Sequence, residues 1–185
     1  MNSPQPFVYD IHHFKAFVLG ADPSNFSDNG KTKEFTHAFG IGSGDPRYYR
    51  GILSNLKEIN LGILDVYVRN LIPDYLTKVT AENENWESVA MEHLPKLKEE
   101  LDTLDKSGKI PVLVTAERIM AFLIGADQLP KAGMIYSLQT PDVVFLKNAL
   151  DRPLIPFYRH PAYNLKLEAN ANYRNKLKEY VEVKY

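Results

Sequence analysis

The 185-residue chain contains no cysteine, which removes disulfides, thiolate metal sites, cysteine nucleophiles and iron–sulfur clusters on chemical grounds. It has no run of about 18 apolar residues, the length that reads as a membrane span. Its opening, MNSPQPFVYD, lacks a basic segment followed by an apolar run, the pattern of a secretory leader. From these absences a cytoplasmic protein is expected, with no membrane partner. An excess of charge is also missing: 22 Lys and Arg stand against 23 Asp and Glu, a net charge of −1. That balance argues against a chain that coats nucleic acid, because nonspecific affinity comes mainly from neutralised phosphates. It leaves room for a small basic rim. Arg47, Arg50 and Lys57 lie in one segment, and Arg152, Arg159 and Lys166 bracket another, although a charge run is usually a solvated face.

What is present is ample for a core: 44% of residues are apolar and 11% aromatic, far from the composition of a disordered chain. At this length one domain spanning residues 1–185 is expected. FKAFVL (14–19) is a short β-compatible run that stops at Gly20, and 21–36 reads as a surface loop broken most strongly at Asp28-Asn29-Gly30. Asp45-Pro46 can start a helix. Tyr49, Ile52, Leu53, Leu56 and Ile59 continue it at helical spacing, and Gly62 can close it. Ile63 to Val68 reads as a buried strand. Ala90, Leu94, Leu97, Leu101 and Leu104 form a stripe on a helix from Asn85 to Leu104, which Pro95 should kink or split. IPVLV (110–114) predicts another buried strand, followed by a helix from Thr115 to about Ile124. Residues 125–141 read as loop, LIPFY (154–158) as a last strand, and 164–183 as a helix. This alternation builds an α/β fold: a three-layer α/β/α sandwich around a mostly parallel sheet of four to five strands. In such sheets ligands collect outside the carboxyl ends of the strands, where GADPSN, the loop after GILDVYV, and HPAYN should converge.

Asp22-Pro23 and His160-Pro161 are each ordinary turn pairs alone. Together they follow predicted strands near opposite ends of the chain and bracket elements in a consistent order. With LGADPSN (19–25), HPAYN (160–164) and the intervening HAFGIGSGDPRYYRGILSNLKEINLG (37–62), the sequence resembles the first family of uracil-DNA glycosylases, whose motifs read GQDPYH and HPSPLS. The resemblance runs over about residues 14–182 and draws its specificity from the combination of short motifs.

The resemblance implies hydrolysis of the N-glycosidic bond of uracil or a related damaged base in DNA, with neither cofactor nor metal. Such a bond breaks through an oxocarbenium-like sugar while the base leaves as an anion. A carboxylate on the sugar side and a donor on the base side are what that charge separation needs. By position, Asp22 is the water-orienting carboxylate and His160 the donor to the base carbonyl, with the backbone of Gly20 and Ala21 helping to hold the base. Several recognition positions differ. Ser24 stands where the family has a methyl-blocking tyrosine, Asn25 replaces the last motif histidine, and Ile41 falls where an aromatic stacks on uracil, with Phe39 two residues earlier on the same face of an extended segment. Tyr67 aligns with the asparagine that reads the base edge, and Asn70 is a substitute three residues on. Ser43, Arg47, Arg159, Tyr163, Asn164 and Leu165 are the expected DNA-contacting residues. Asn164 at the position of an inserting leucine predicts a preference for single-stranded over duplex DNA, since a short polar side chain fills the gap left by a flipped base poorly.

Other patterns are weaker. His12-His13 has no further ligand at metal spacing, and FGIGSGD lacks the lysine of a phosphate loop. Two alternative functions remain: an inactive member of the same fold that binds nucleic acid or protein, and a hydrolase of free nucleosides or small glycosides.

Overall fold

Short apolar runs rich in β-branched residues form four strands: β1 (Ala16–Gly20), β2 (Val66–Asn70), β3 (Val112–Val114) and β4 (Leu154–Pro156). The computed structural model describes residues 2–24, 33–45, 49–139, 144–158 and 170–182. The four strands make one parallel sheet in the order β2-β1-β3-β4. Every strand residue is buried, as expected when both faces of a parallel sheet are covered. Among the described residues five helices cover it: α1 (Arg50–Glu58), α2 (Trp86–Leu104), α3 (Glu117–Ile124), α4 (Ala132–Tyr136) and α5 (Ala171–Glu182). The chain moves one way across the sheet from β1 to β2 and the other way from β2 to β3. Right-handed crossovers therefore place α1 and α2 on opposite faces. Contacts agree: α5 joins α1 through Arg174–Glu58 at 3.0 Å, while Trp86 of α2 meets Phe122 of α3 edge to face at 5.8 Å. The three-layer α/β sandwich expected from the sequence is the architecture found.

The edges of the sheet are protected by single bridges. Phe7 exchanges two backbone hydrogen bonds of 2.8 Å with Val68 on the outer side of β2, and Phe145 pairs with Leu154 on the outer side of β4. Such cover removes the unpaired row of N–H and C=O groups that invites association. No helix among the described residues is long and apolar enough to cross a membrane.

Element boundaries differ from the sequence expectation at instructive places. α1 ends at Glu58 and is closed by Asn60, not Gly62. Asn60 takes the left-handed conformation (φ 61°), and Leu61 N–H reaches Leu56 C=O at 2.9 Å while Asn60 N–H reaches Lys57 C=O, the paired bonds of a Schellman cap. Gly62 instead donates its N–H to the Asp65 carboxylate at 2.8 Å. That bond folds Ile63–Asp65 into a 3-10 turn, so β2 begins three residues later than predicted and ends at Asn70. α2 runs unbroken through Pro95, whose exposed position directs the lost backbone bond toward solvent. The segment 125–141 is not all loop, since it holds a 3-10 turn at Ala126–Gln128 and α4.

Arg152 was one of the expected rim cations. It is instead 2% exposed, with Nη2 donating to Asp102 at 2.6 Å and Nη1 to Asp105 at 3.2 Å. A guanidinium neutralised inside the fold has no capacity left for phosphate.

Candidate active site at the carboxyl ends of β1 and β2

Parallel pairing aligns Gly20 with Asn70 and Phe17 with Tyr67. Because side chains alternate along a strand, Asn70 and the bare Cα of Gly20 share one face, whereas Tyr67 and Phe17 share the other. Phe39 joins the first group. A methyl group built on Gly20 would overlap the Asn70 side-chain oxygen and the tip of the Phe39 ring, whose Cε2 lies 2.9 Å from that position. Only glycine allows this approach. Phe39 itself is 8% exposed and adopts φ 57°, ψ 15°, a left-handed conformation that costs a bulky residue of order 1–3 kcal/mol and persists where the surroundings enforce it. Gly40, at φ 66°, continues the bend, with the Phe35 ring 2.8 Å from where its Cβ would stand.

Asn70 is 5% exposed, and among the described residues no hydrogen bond reaches its side-chain amide, although its backbone carbonyl accepts from Arg69 Nε at 2.9 Å. The amide is not among the fully enclosed polar atoms that lack a partner, so its donors and acceptor keep access to solvent and can pair with water or another group. The Ala21 N–H is also without an acceptor among the described residues, while the Ala21 carbonyl is taken by Ile72 N–H at 2.9 Å. Gly20, Ala21, Phe39 and Asn70 thus assemble an aromatic surface, an amide and a free backbone donor at one place.

Asp22 follows two residues after Gly20 and is held by three donors. Its Oδ1 accepts Ser24 N–H at 3.0 Å, and its Oδ2 accepts the Thr80 hydroxyl at 2.6 Å and Trp86 Nε1–H at 3.0 Å. Two carboxylate oxygens offer about four lone-pair sites, so one site remains, on Oδ1. The group is half-buried and fixed in orientation. Ser24 is likewise committed: its hydroxyl accepts Leu76 N–H at 2.8 Å.

The other expected residues divide clearly. Tyr67 points away from Gly20 and Asn70. Its ring packs on Phe14 and Phe17, each at 5.8 Å, its hydroxyl donates to Glu100 of α2 at 2.6 Å, and burial together with Glu100 pushes its pKa far above the usual phenol value. The late start of β2 is the reason: the strand ends at Asn70, so Asn70 and not Tyr67 occupies the carboxyl edge. Ile41 is buried in the core, and Phe39 is the aromatic that meets Gly20. Ser43 is exposed, its Oγ accepting Asp45 N–H at 3.3 Å. Asn25, Arg47, Arg159, His160, Tyr163, Asn164 and Leu165 lie outside the described residues.

Sequence reasoning missed the donors to Asp22. Trp86 reads as a core anchor, and it is one at 0% exposure, but a buried indole N–H needs an acceptor; that requirement was the available signal. Thr80, at the start of a short 3-10 turn (Thr80–Glu82), carried none. Comparison of the chain with protein-family models and with curated proteins gives no match.

Proposed function

We propose that this chain is a base-excision glycosylase, hydrolysing the N-glycosidic bond of uracil or a related damaged base in DNA. The observation that carries the proposal is the Asn70 amide, without a partner among the described residues, set beside the left-handed Phe39 at a glycine that admits no side chain. A planar base offers both an edge for an amide and a face for an aromatic ring, and a pocket that pairs one with the other suits such a ligand. Asp22 supports the chemistry. A water held on its remaining Oδ1 site attacks the anomeric carbon as the carbon–nitrogen bond breaks, with the bonding pair leaving on the base. The negative carboxylate favours the cationic sugar through which this passes. His160 is the proposed donor to the base carbonyl. Arg159 and Tyr163 to Leu165, together with Ser43 and Arg47, are the proposed DNA contacts.

The test is incubation with uracil-containing single-stranded and duplex DNA, scored for abasic sites. Release is expected on both, faster on the single strand, and lowered about a hundredfold or more in Asp22→Asn. Absence of abasic sites on either substrate overturns the proposal.

One observation favours a second reading, a binding module without catalysis. The double hold on Asp22 Oδ2 by Thr80 and Trp86 is also what a loop brace requires. Under that reading the protein binds single-stranded DNA and Asp22→Asn weakens folding without affecting any base release.

A further inference from the structure

Both donors to Asp22 Oδ2 are controlled from a third element. Arg118, in the first turn of α3, directs Nη1 to the Thr80 carbonyl and Nη2 to the Asn83 carbonyl at 3.0 Å. The same guanidinium lies over the Trp86 ring at 5.1 Å. One planar group therefore fixes the turn that carries the Thr80 hydroxyl and the ring that carries the indole N–H. Its only carboxylate contact among the described residues is a loose one, Nε to Glu87 at 3.9 Å. A surface ion pair at that distance contributes little, so neutralising Glu87 does not account for the fork on two carbonyls.

We infer that Arg118 is a positioning residue for the Asp22 carboxylate, acting through Thr80 and Trp86. This rests on the proposed role of Asp22 in base release. With the fork in place, Oδ2 is occupied from both sides and the free lone pair is confined to Oδ1. Without it, the 80–83 turn and the indole relax independently and the carboxylate gains freedom to rotate about its Cβ–Cγ bond. Arginine suits the task because its donors are planar and can bridge two carbonyls while stacking on a ring, which lysine cannot do.

Trp86 is the single tryptophan of the chain, so its indole N–H gives one resonance that reports directly on the bond to Asp22. The experiment compares the parent with Arg118→Met, Arg118→Lys and Asp22→Asn in two readouts, the indole resonance and the kinetics of uracil release. In both Arg118 variants the indole resonance is expected to move in the direction seen for Asp22→Asn. The value of kcat should fall about thirtyfold with KM within about twofold, since small displacements of a reacting group cost up to about a hundredfold. Arg118→Lys carries the same readouts should Arg118→Met fail to fold. A parent-like indole resonance in the folded Arg118 variants overturns the inference, as does a loss that falls on KM alone. If the parent releases no base, the functional reading fails by itself, and the indole shift alone decides whether Arg118 positions Asp22.

Discussion

The two ends of the sheet differ in what they leave to be paired from outside. At the amino ends of β3 and β4, the Arg152 guanidinium has side-chain exposure of 0% and pairs through both Nη atoms with Asp102 and Asp105, with Phe17 beneath it at 5.3 Å. At the amino ends of β1 and β2, Lys15 meets Asp65 at 2.9 Å. At the carboxyl ends of β1 and β2, Asn70 is buried with its amide unused, and Phe39 is held in a left-handed conformation against Gly20. Holding a bulky residue in a left-handed conformation costs free energy. Such costs tend to gather where a ligand compensates them. The amino end pairs its charges with one another, whereas the carboxyl end combines a strained aromatic with an amide that has no protein partner among the described residues.

The comparison predicts that the largest stability effect comes from the amino end. Arg152→Met strands Asp105 in the interior, and breaking a buried pair by removing one partner costs about 3–5 kcal/mol. Urea denaturation should show that loss, with base release unchanged in the fraction that remains folded. A cost below about 1 kcal/mol would mean that the pairing at this end is ornamental and the contrast is wrong.

At the carboxyl end the large effect should appear in activity. Asp22→Asn is expected to lower base release by about a hundredfold or more, the usual scale of a positioned charge in a transition state. Its stability cost should stay at about 1 kcal/mol, because the retained carbonyl oxygen can keep both Thr80 and Trp86 while the new NH2 group faces only the Ser24 N–H. Abasic-site formation and urea denaturation on the same sample separate the two. Comparable rates for variant and parent would assign Asp22 to the loop brace alone.

Asn70→Ala should sharpen the contrast further. Its amide makes no hydrogen bond among the described residues, so its loss should change stability by less than about 1 kcal/mol. Losing one hydrogen bond to a base edge should raise KM about tenfold, equivalent to about 1.4 kcal/mol. Titration with uracil-containing single strands measures the second quantity. An effect on stability alone would make Asn70 a packing residue.

The distribution of these roles also explains what the sequence made legible. The strands announced themselves through apolar runs such as FKAFVL and IPVLV, since burial on both faces demands them. Asp22 and Gly20 were found because the turn chemistry of GADPSN is local. Tyr67 and Asn70 exchanged importance because the start of β2 is decided by Asp65, which caps Gly62 and pairs with Lys15; that long-range pairing leaves no trace in periodicity. Arg152 illustrates the same limit with the opposite sign. A lone arginine between Asp151 and Pro153 reads as surface, and only folding brings Asp102 and Asp105 to it.

The smallest expected effect is a pH dependence confined to the amino end. Burial alone would raise the Asp105 pKa, but the Ser107 hydroxyl at 2.6 Å, the Ile110 and Ser107 N–H groups at 2.9 and 3.0 Å, and Arg152 together outweigh it. The net result is a carboxyl held below its usual value of 3.8. The folded state therefore binds this proton less readily than the unfolded chain, whose aspartate titrates near about 3.9. Between those two values the unfolded state carries more protons, so stability rises with pH there, is fully present above the unfolded value, and is lost as pH falls through the folded one. The stability difference between the parent and Asp105→Asn should accordingly be constant near neutrality and shrink as the pH is taken from about 5 toward 2. Ser107→Ala removes the principal donor to the charged form and should shift that decline to higher pH. Asn70→Ala, which removes no titrating group, should give a stability difference that is flat over the same range. If the Asp105 difference is equally flat, the carboxylate contributes no pH-dependent stability, and pairing at the amino end holds the fold by packing alone.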